Sequence, residues 1–585
     1  MKGRQILANF IISRKWEYII GIIMLIAGSF ISSLIPKVLG TTTDLLNQEH
    51  IVVSEIYKNL FLLIGISVLS FIIKFIWRYF LVGSCRSLEC HLRQMLFKHL
   101  QTLPVDFYNN NKTGDLIALA INDIQAIRRT FGFGIVAILE GVVVNTAAII
   151  FMSRAINPIL TVMAFLPAPF IVFLTMKLRS VIRERFGAVQ AAFADISAKV
   201  QENISGIRVI KSFAQEKEEI QDFLAVSQKR VDTQMSLTRV SALMNPLTQV
   251  CFGISFLLFI IYGSELVING VITIGDYVAF NSYILLIMRP VINISRIVEI
   301  WQRGLASIKR LDEVFSLTGE VSDHTSQDVN EIHGSIVIKD LSFKYPGTDK
   351  YALKDINIHL EKGKTLGILG RTGSGKTTLV DLLLRLYDVE SGHIFIDDVD
   401  INDMPVELLR EKIEYVPQDN FLFSTTIRNN IEFFRPVYTA DEIEQAAKDS
   451  GIYDSILSFE DGFETMVGER GVTLSGGQKQ RISIARALVK KPSIIILDDS
   501  LSAVDTKTES EILKNIENFM VNRTGIIISH RVSTVSHADE IILLDEGEIV
   551  ERGTHEELLA LRGHYYKLYE VQTHAKNDMT KEITI

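Results

Sequence analysis

An α-helical membrane domain followed by an α/β domain with a phosphate-binding loop is the fold class this sequence predicts. Three observations carry it. The first half contains apolar stretches of span length, two of them with no charge at all; the second half has the mixed charge of a soluble domain; and there the strand-like run KTLGILG leads straight into GRTGSGKT at Gly370–Thr377. At 585 residues the chain exceeds what one core sustains, so two or more domains are expected. The composition places the membrane domain at 1–320, a linker at 321–333, the α/β domain at 334–575 and a polar tail at 576–585.

The basic, amphipathic start MKGRQILANFIISRKW lacks a small-residue cleavage site and reads as an interfacial lead-in helix. A first span at 17–40 holds about two dozen residues, which as a helix extend roughly 36 Å, enough for the hydrocarbon core. Further candidates at 57–83, 131–153, 158–176, 241–264 and 271–298 bring the expected number to six. The uncharged runs Pro158–Met176 and Ser241–Ser264 are ones a soluble helix does not sustain.

Lys2, Arg4, Arg14 and Lys15 precede the first span, whereas Thr41–Ile56 carries Asp44, Glu49 and Glu55 without lysine or arginine, which puts the N-terminus in the cytoplasm. Charged stretches between the second and third and between the fourth and fifth spans keep a helical period, as at Leu92, Leu96, Leu100 and Leu103. The spans are therefore expected to continue into the cytoplasm as long helices that turn near Asn109–Lys112 and near Ser205–Gly206. Lys74, Arg78, Glu140 and Arg289 lie at membrane depth, where an unpaired charge is costly. Glu140 is open to two readings, contact with cationic cargo or pairing with water or a basic side chain; Lys74 and Arg78 are read as snorkelling or lining an inner cavity.

A net charge of −8 with no basic tract excludes a nucleic-acid ligand. Cys85, Cys90 and Cys251 form no Cys-x-x-Cys or Cys/His cluster, which argues against disulfide scaffolding and structural zinc. Cys251, in an apolar run, reads as a small core or lipid-facing residue.

The soluble half opens on the strand pattern SIVIKDLSFKY, whose terminal Tyr345 is placed to stack on a base. In GRTGSGKT the residues Gly370, Arg371, Thr372, Gly373, Ser374 and Gly375 let successive backbone N–H groups curl around phosphates, with Lys376, Thr377 and Thr378 opening a helix behind them. Lys376 is expected on the β- and γ-phosphates of ATP and the Thr377 hydroxyl on Mg²⁺. Gln418, after a second strand, is suited to sensing the γ-phosphate or the metal. The buried run Ile494–Leu497 delivers Asp498 to the magnesium shell, and Asp499 follows it where water is to be activated. His530 closes TGIIISH, where a neutral imidazole can hold the γ-phosphate or orient water. The expected metal set is Thr377, Gln418 and Asp498.

LSGGQ at Leu474, Ser475, Gly476, Gly477 and Gln478 precedes the helical KQRISIARAL, so it offers N–H groups and a positive dipole end to an anion. The chain's own phosphates belong to the loop at Gly370–Thr377. The second anion site thus looks outward, to ATP on another subunit.

The order Tyr345, GRTGSGKT, Gln418, TMVGERG, LSGGQ, IIILDD, SAVD at Ser502, Ala503, Val504 and Asp505, and His530 resembles the ABC exporters, specifically half-transporters of six spans and one nucleotide-binding domain. The resemblance covers essentially the whole chain: NNNKTGDL at Asn109–Leu116 and QENISGIRVIKSFAQE at Gln201–Glu216 look like that family's two cytoplasmic turnarounds. It implies a multi-pass protein of the cell membrane with a cytoplasmic ATPase. Two half-transporters intertwine, one coupling segment docks on its own ATPase and the other on the partner's, and ATP sandwiching switches the cavity from inward- to outward-facing.

Two positions depart from the family pattern. Met466 in TMVGERG stands where an acidic residue is frequent. Asp499 stands where a glutamate normally activates water, which looks like one subunit of a heterodimeric multidrug exporter whose partner supplies the hydrolytic glutamate, with hydrophobic, cationic or neutral drugs as cargo. Other readings consistent with the sequence are a homodimer that moves lipid or peptide with a slow Asp499 site, and an ATP-binding membrane sensor or regulatory subunit.

Overall fold

The computed structural model describes residues 3–48, 52–317, 319, 329, 331–468, 474–500 and 506–582. The expected linker 321–333 falls mostly outside them. The chain divides into two compact units, one of Met1–His99 with Gly114–Ser316, the other of Leu100–Thr113 with Leu317–Ile585.

The first unit is helical throughout. A short lead-in helix α1 (Gly3–Ser13) is followed by α2 (Lys15–Ser33) and α3 (Ile35–Leu46). They part at Leu34 because Pro36 supplies no N–H to the ladder. Helix α4 (Val53–Leu100) runs for 48 residues, about 70 Å, more than twice the hydrocarbon thickness, so the apolar span continues as a polar rod. Its C-terminal end leads to the short α5 (Val105–Asn110), which belongs to the second unit.

The run Thr113–Ile156 alternates α6 (Thr113–Ala118), α7 (Ile124–Arg129) and α8 (Ile135–Ile150) with wider π-helical turns at Leu119–Asp123, Thr130–Gly134 and Phe151–Ile156. At the second of these the buried Thr130 hydroxyl is within 3.0 Å of both Ala126 O and Ile300 O, a side-chain bond that competes with the regular ladder. Helix α9 (Pro158–Phe165) is capped by Asn157, whose side chain accepts from the N–H groups of Ile159 and Leu160. The expected span 158–176 is not one helix: it breaks at Leu166–Pro167 before α10 (Ala168–Ser205) begins.

The second turnaround begins where it is expected and extends further: α10 ends at Ser205 with Gly206 at φ −89°, ψ 8°, the short α11 (Ile207–Ser212) follows, and a second turn at Phe213–Gln215, with Ala214 at φ +52°, leads into α12 (Glu216–Ser241). Lys199 to Glu219 at 2.7 Å and Lys229 to Asp195 at 2.9 Å pin α10 and α12 as an antiparallel pair. Two further helices, α13 (Met244–Ile268) and α14 (Ile274–Ser316), complete the unit.

Helices α3 and α14 approach closely at paired glycines. A Cβ on Gly40 would lie 2.6 Å from Gly275 O, and Asp44 accepts from the Gly275 N–H at 2.7 Å and the Thr273 hydroxyl at 2.8 Å. Among the described residues four helical runs, Lys15–Leu46, Val53–Leu100, Thr113–Arg154 and Gln249–Ile268, are long and apolar enough to cross a membrane. Lys74, Arg78 and Glu140 are exposed on their helices; Arg289 lies on α14 with its side chain outside the described set.

The second unit holds two sheets. The smaller, ordered β2-β1-β4-β5, is built of β1 (Ile336–Phe343), β2 (Leu353–Leu360), β4 (Ile394–Ile396) and β5 (Val399–Asp400). The larger is ordered β10-β9-β3-β8-β7-β6, from β3 (Thr365–Gly370), β6 (Ile413–Val416), β7 (Ile494–Asp498), β8 (Thr524–Ser529), β9 (Glu540–Asp545) and β10 (Glu548–Gly553). Strands β6, β7, β8, β3 and β9 are parallel; β7 and β8 are buried at every residue, as a sheet covered on both faces requires. Parallel pairing brings all carboxyl ends to one edge, the place where open α/β sheets hold ligands.

Candidate nucleotide site

At that edge β3 delivers the loop Gly370–Gly375, β8 delivers His530, β7 delivers Asp498 and Asp499, and β6 leads to Gln418. A pocket of about 380 Å³ opens there, lined among others by Tyr345, Thr372, Gly373, Gly375, Lys376, Thr377, Thr378, Gln418, Asp498 and His530. Sequence-predicted residues from five separated segments thus share one wall. Thr348, Lys350, Tyr351 and Glu546 line it too and were not foreseen.

The loop needs its glycines. Gly373 and Gly375 adopt φ of +83° and +101°, and a Cβ on Gly375 would sit 2.6 Å from Ala352 O. Helix α15 (Lys376–Leu383) starts immediately behind it, so its free N–H groups face the loop. Lys376 donates to the carbonyls of Gly370 and Arg371, each at 2.8 Å, and burial pulls its ammonium below the usual lysine range. The buried Ser374 hydroxyl has no hydrogen-bond partner among the described residues. A lysine held by two carbonyls, open glycine amides and a waiting hydroxyl suit a polyphosphate. Arg371 contributes its carbonyl and is not among the pocket-lining side chains.

Asp498 sits between two hydroxyls: Thr377 donates to its Oδ2 at 3.2 Å and Tyr415 to the same atom at 3.1 Å. Burial raises the Asp498 carboxyl, and burial beside Asp498 pushes Asp381 up to about 6. Asp498 and the Thr377 hydroxyl, beside Lys376 at the pocket wall, are donors suited to Mg²⁺. Tyr415 and Asp381 carry no motif and were missed from sequence.

Asp499 has φ +43°, a left-handed conformation that aspartate tolerates, and its N–H still donates to Ile528 O at 2.9 Å. Its carboxylate lies 3.5 Å from Gln418 Nε2. His530 is exposed at the pocket wall, and its backbone is anchored by a residue no motif announces. The Gln572 amide donates to His530 O and accepts from the Val532 N–H, both at 2.9 Å.

Tyr345 stands edge-on to Phe343 and to Tyr387, with centroids 5.3 and 5.1 Å away, and its hydroxyl is 2.9 Å from that of Thr378. Tyr387 receives a 3.2 Å bond from the Asn109 amide, at the end of α5.

LSGGQ is a capping box. Ser475 caps the helix Gly476–Val489: its hydroxyl accepts from the Gln478 N–H at 3.3 Å, while its own N–H donates to Gln478 Oε1 at 2.9 Å. The glycines keep side chains off the first turn, so that turn is both rigid and bare. The expected loop Ser502–Asp505 and Glu469–Gly471 of TMVGERG lie outside the described residues. Met466 is described and exposed.

Span-length apolar helices joined to a parallel sheet with a phosphate loop and a second, bare helix end define a membrane ATPase. The family described as ABC transporter transmembrane region matches residues 18–291, and the family described as ABC transporter matches 353–502. The chain is 38% identical over 558 residues, 95% of each chain, to the "Probable multidrug resistance ABC transporter ATP-binding/permease protein YheI" of Bacillus subtilis (strain 168). It is 35% identical over 96% of its length, and 95% of the relative's, to the "Multidrug resistance-like ATP-binding protein MdlA" of Escherichia coli (strain K12). A solved structure described as "Structure of a bacterial Atm1-family ABC exporter with ATP bound" superposes with a TM-score of 0.77 at 26% identity, covering 95% of this chain and 99% of the other. The chain belongs to the ABC transporter family, as an exporter half-transporter with a membrane and an ATP-binding domain whose ATP hydrolysis is coupled to transport.

Proposed function

We propose that this chain is one subunit of a heterodimeric exporter of hydrophobic drugs or dyes, its own ATP site hydrolysing slowly and its LSGGQ completing a fast site on a different half-transporter. The observation that carries this is Asp499. It is one methylene shorter than glutamate, and a group about 1 Å out of place loses about 10²-fold in rate. Its contact to Gln418 is already at the 3.5 Å limit, while the rest of the site is intact. The names of the relatives from Bacillus subtilis and Escherichia coli support drugs as cargo.

In this reading Gly370–Gly375 and Lys376 hold the phosphates of ATP and Tyr345 stacks on its base. Thr377, Gln418 and Asp498 would hold Mg²⁺, which would neutralise charge on the phosphates. His530 orients the γ-phosphate or the water. Ser475 and the first turn of its helix meet the partner's ATP, with Ser502–Asp505 along the same seam. The membrane half crosses six times with the N-terminus and the ATPase in the cytoplasm.

The test is ATPase and dye transport in vesicles for the chain alone and with its candidate partner. Activity confined to the pair supports the reading; undiminished pumping by the chain alone overturns it in favour of a homodimer.

A further inference from the structure

Within the first unit a pocket of about 650 Å³ lies between the start of α2 and the middle of α4. Arg14, Arg78 and Arg86 line it, with Glu17 as its one carboxylate. Glu17 is committed to pinning the helices together: Arg14 reaches both its oxygens at 3.1 and 3.2 Å, and the Ser84 hydroxyl of α4 donates to it. Arg86 comes no nearer than 3.9 Å to Glu89, which is held more closely by Arg93 at 3.0 Å and Arg128 at 2.9 Å. Arg78 rests over the Trp77 ring at 5.7 Å and has no carboxylate partner among the described residues. Three guanidiniums against one carboxylate leave a basic pocket.

Its surroundings are apolar on one side. Phe71, Phe75 and Tyr79 follow at four-residue spacing along α4, each at least 64% exposed, so they form a stripe running from the pocket toward the middle of the expected span. Arginine is the side chain best shaped for bidentate bonds to phosphate, and the pocket stands where the apolar span gives way to the polar rod. A ligand with an anionic phosphate at one end and hydrocarbon at the other matches both features.

We propose that this pocket binds the headgroup phosphate of an anionic phospholipid, its acyl chains lying along Phe71, Phe75 and Tyr79. This rests on the membrane placement proposed above, with Arg14 and Arg86 on the cytoplasmic side. There the anionic leaflet attracts basic residues.

The experiment is native mass spectrometry of the full chain in detergent, with phosphatidylglycerol, phosphatidylcholine and inorganic phosphate in separate arms. Phosphatidylglycerol is retained in preference to phosphatidylcholine, and Arg78→Ala or Arg86→Ala each weakens retention about fivefold. Gly83 lines the pocket and a Cβ there meets nothing within 4 Å, so Gly83→Leu puts bulk into the space with every charge kept. It abolishes retention. Equal retention of the two lipids, or unchanged retention in all three variants, overturns the proposal. So does saturation by inorganic phosphate with the same variant dependence, which makes the ligand a free anion, and so does loss of the lipid when a second half-transporter is added, which makes a protein surface the occupant. The membrane placement is read separately in proteoliposomes by maleimide labelling of Cys90, which is exposed while Cys85 and Cys251 are buried. Labelling from outside refutes that placement and leaves the detergent result standing.

Discussion

Gln418 Nε2 stands 3.5 Å from Asp499 Oδ2, the two residues lying just beyond the ends of the adjacent strands β6 and β7. A contact that long is a weak hydrogen bond, and the carboxylate that makes it also sits at φ +43°, immediately after the buried Asp498. The short acid is therefore held beside the site, with its reach set by one missing methylene.

Asp499→Glu is expected to raise single-turnover hydrolysis at this chain's own site by about 10- to 100-fold without tightening nucleotide binding. Quench-flow on the assembled transporter checks it. An unchanged rate assigns the limiting step to another group.

Gln572→Ala removes both bonds that hold the backbone on either side of His530, and is expected to lower kcat about fivefold with little change in nucleotide affinity. Gln572→Glu keeps the acceptor for Val532 and loses the donor to His530, so its effect falls between. Steady-state kinetics with a separate binding titration distinguishes this from general destabilisation, which lowers both.

Ser475→Ala deletes a helix cap and costs about 1 kcal/mol, a few degrees of Tm. Ser475→Asp keeps the cap and therefore the Tm, but places a carboxylate where the partner's phosphate is to dock. Thermal unfolding unchanged with partner-site ATPase abolished is the expected signature of Ser475→Asp.

Glu414, the second residue of β6, is buried beside Lys490. Burial pushes its carboxyl up from about 4.5 to about 7 against the pull of Lys490. Between those values the folded protein keeps a proton that the unfolded chain has released, so stability falls as pH rises across that window and levels above it. Glu414→Gln is expected to flatten this slope in nucleotide-free protein, read as Tm at a series of pH values.

The nucleotide site was legible because each motif closes an apolar strand, and parallel pairing gathers strand ends whatever their separation in sequence. Lys376, Gln418, Asp498 and His530 meet at one pocket for that reason, and Tyr345 joins them from the end of β1 in the smaller sheet. Gln572 was invisible: a lone polar residue on the last helix signals nothing until that helix packs against the end of β8. Asp381 and Tyr415 were hidden in the same way, since only tertiary placement turns them toward Asp498. In the membrane half, four of the six stretches picked by hydropathy fall on helical runs long and apolar enough to cross a membrane among the described residues, but hydropathy did not reveal the breaks. Gly206 marked the start of the second turnaround, but the separate helix Ile207–Ser212 and the second turn at Phe213–Gln215 gave no signal of their own. The π-helical turns around Thr130 leave no periodic trace.

The short helix Val105–Asn110 clusters with the ATPase half although α4 and α6 on either side of it belong to the membrane half. A protein fragment cut to begin at residue 334 would therefore be an amputated folding unit. The Tyr387 hydroxyl would lose Asn109, the hydrogen bond that ties this helix to the ATPase half.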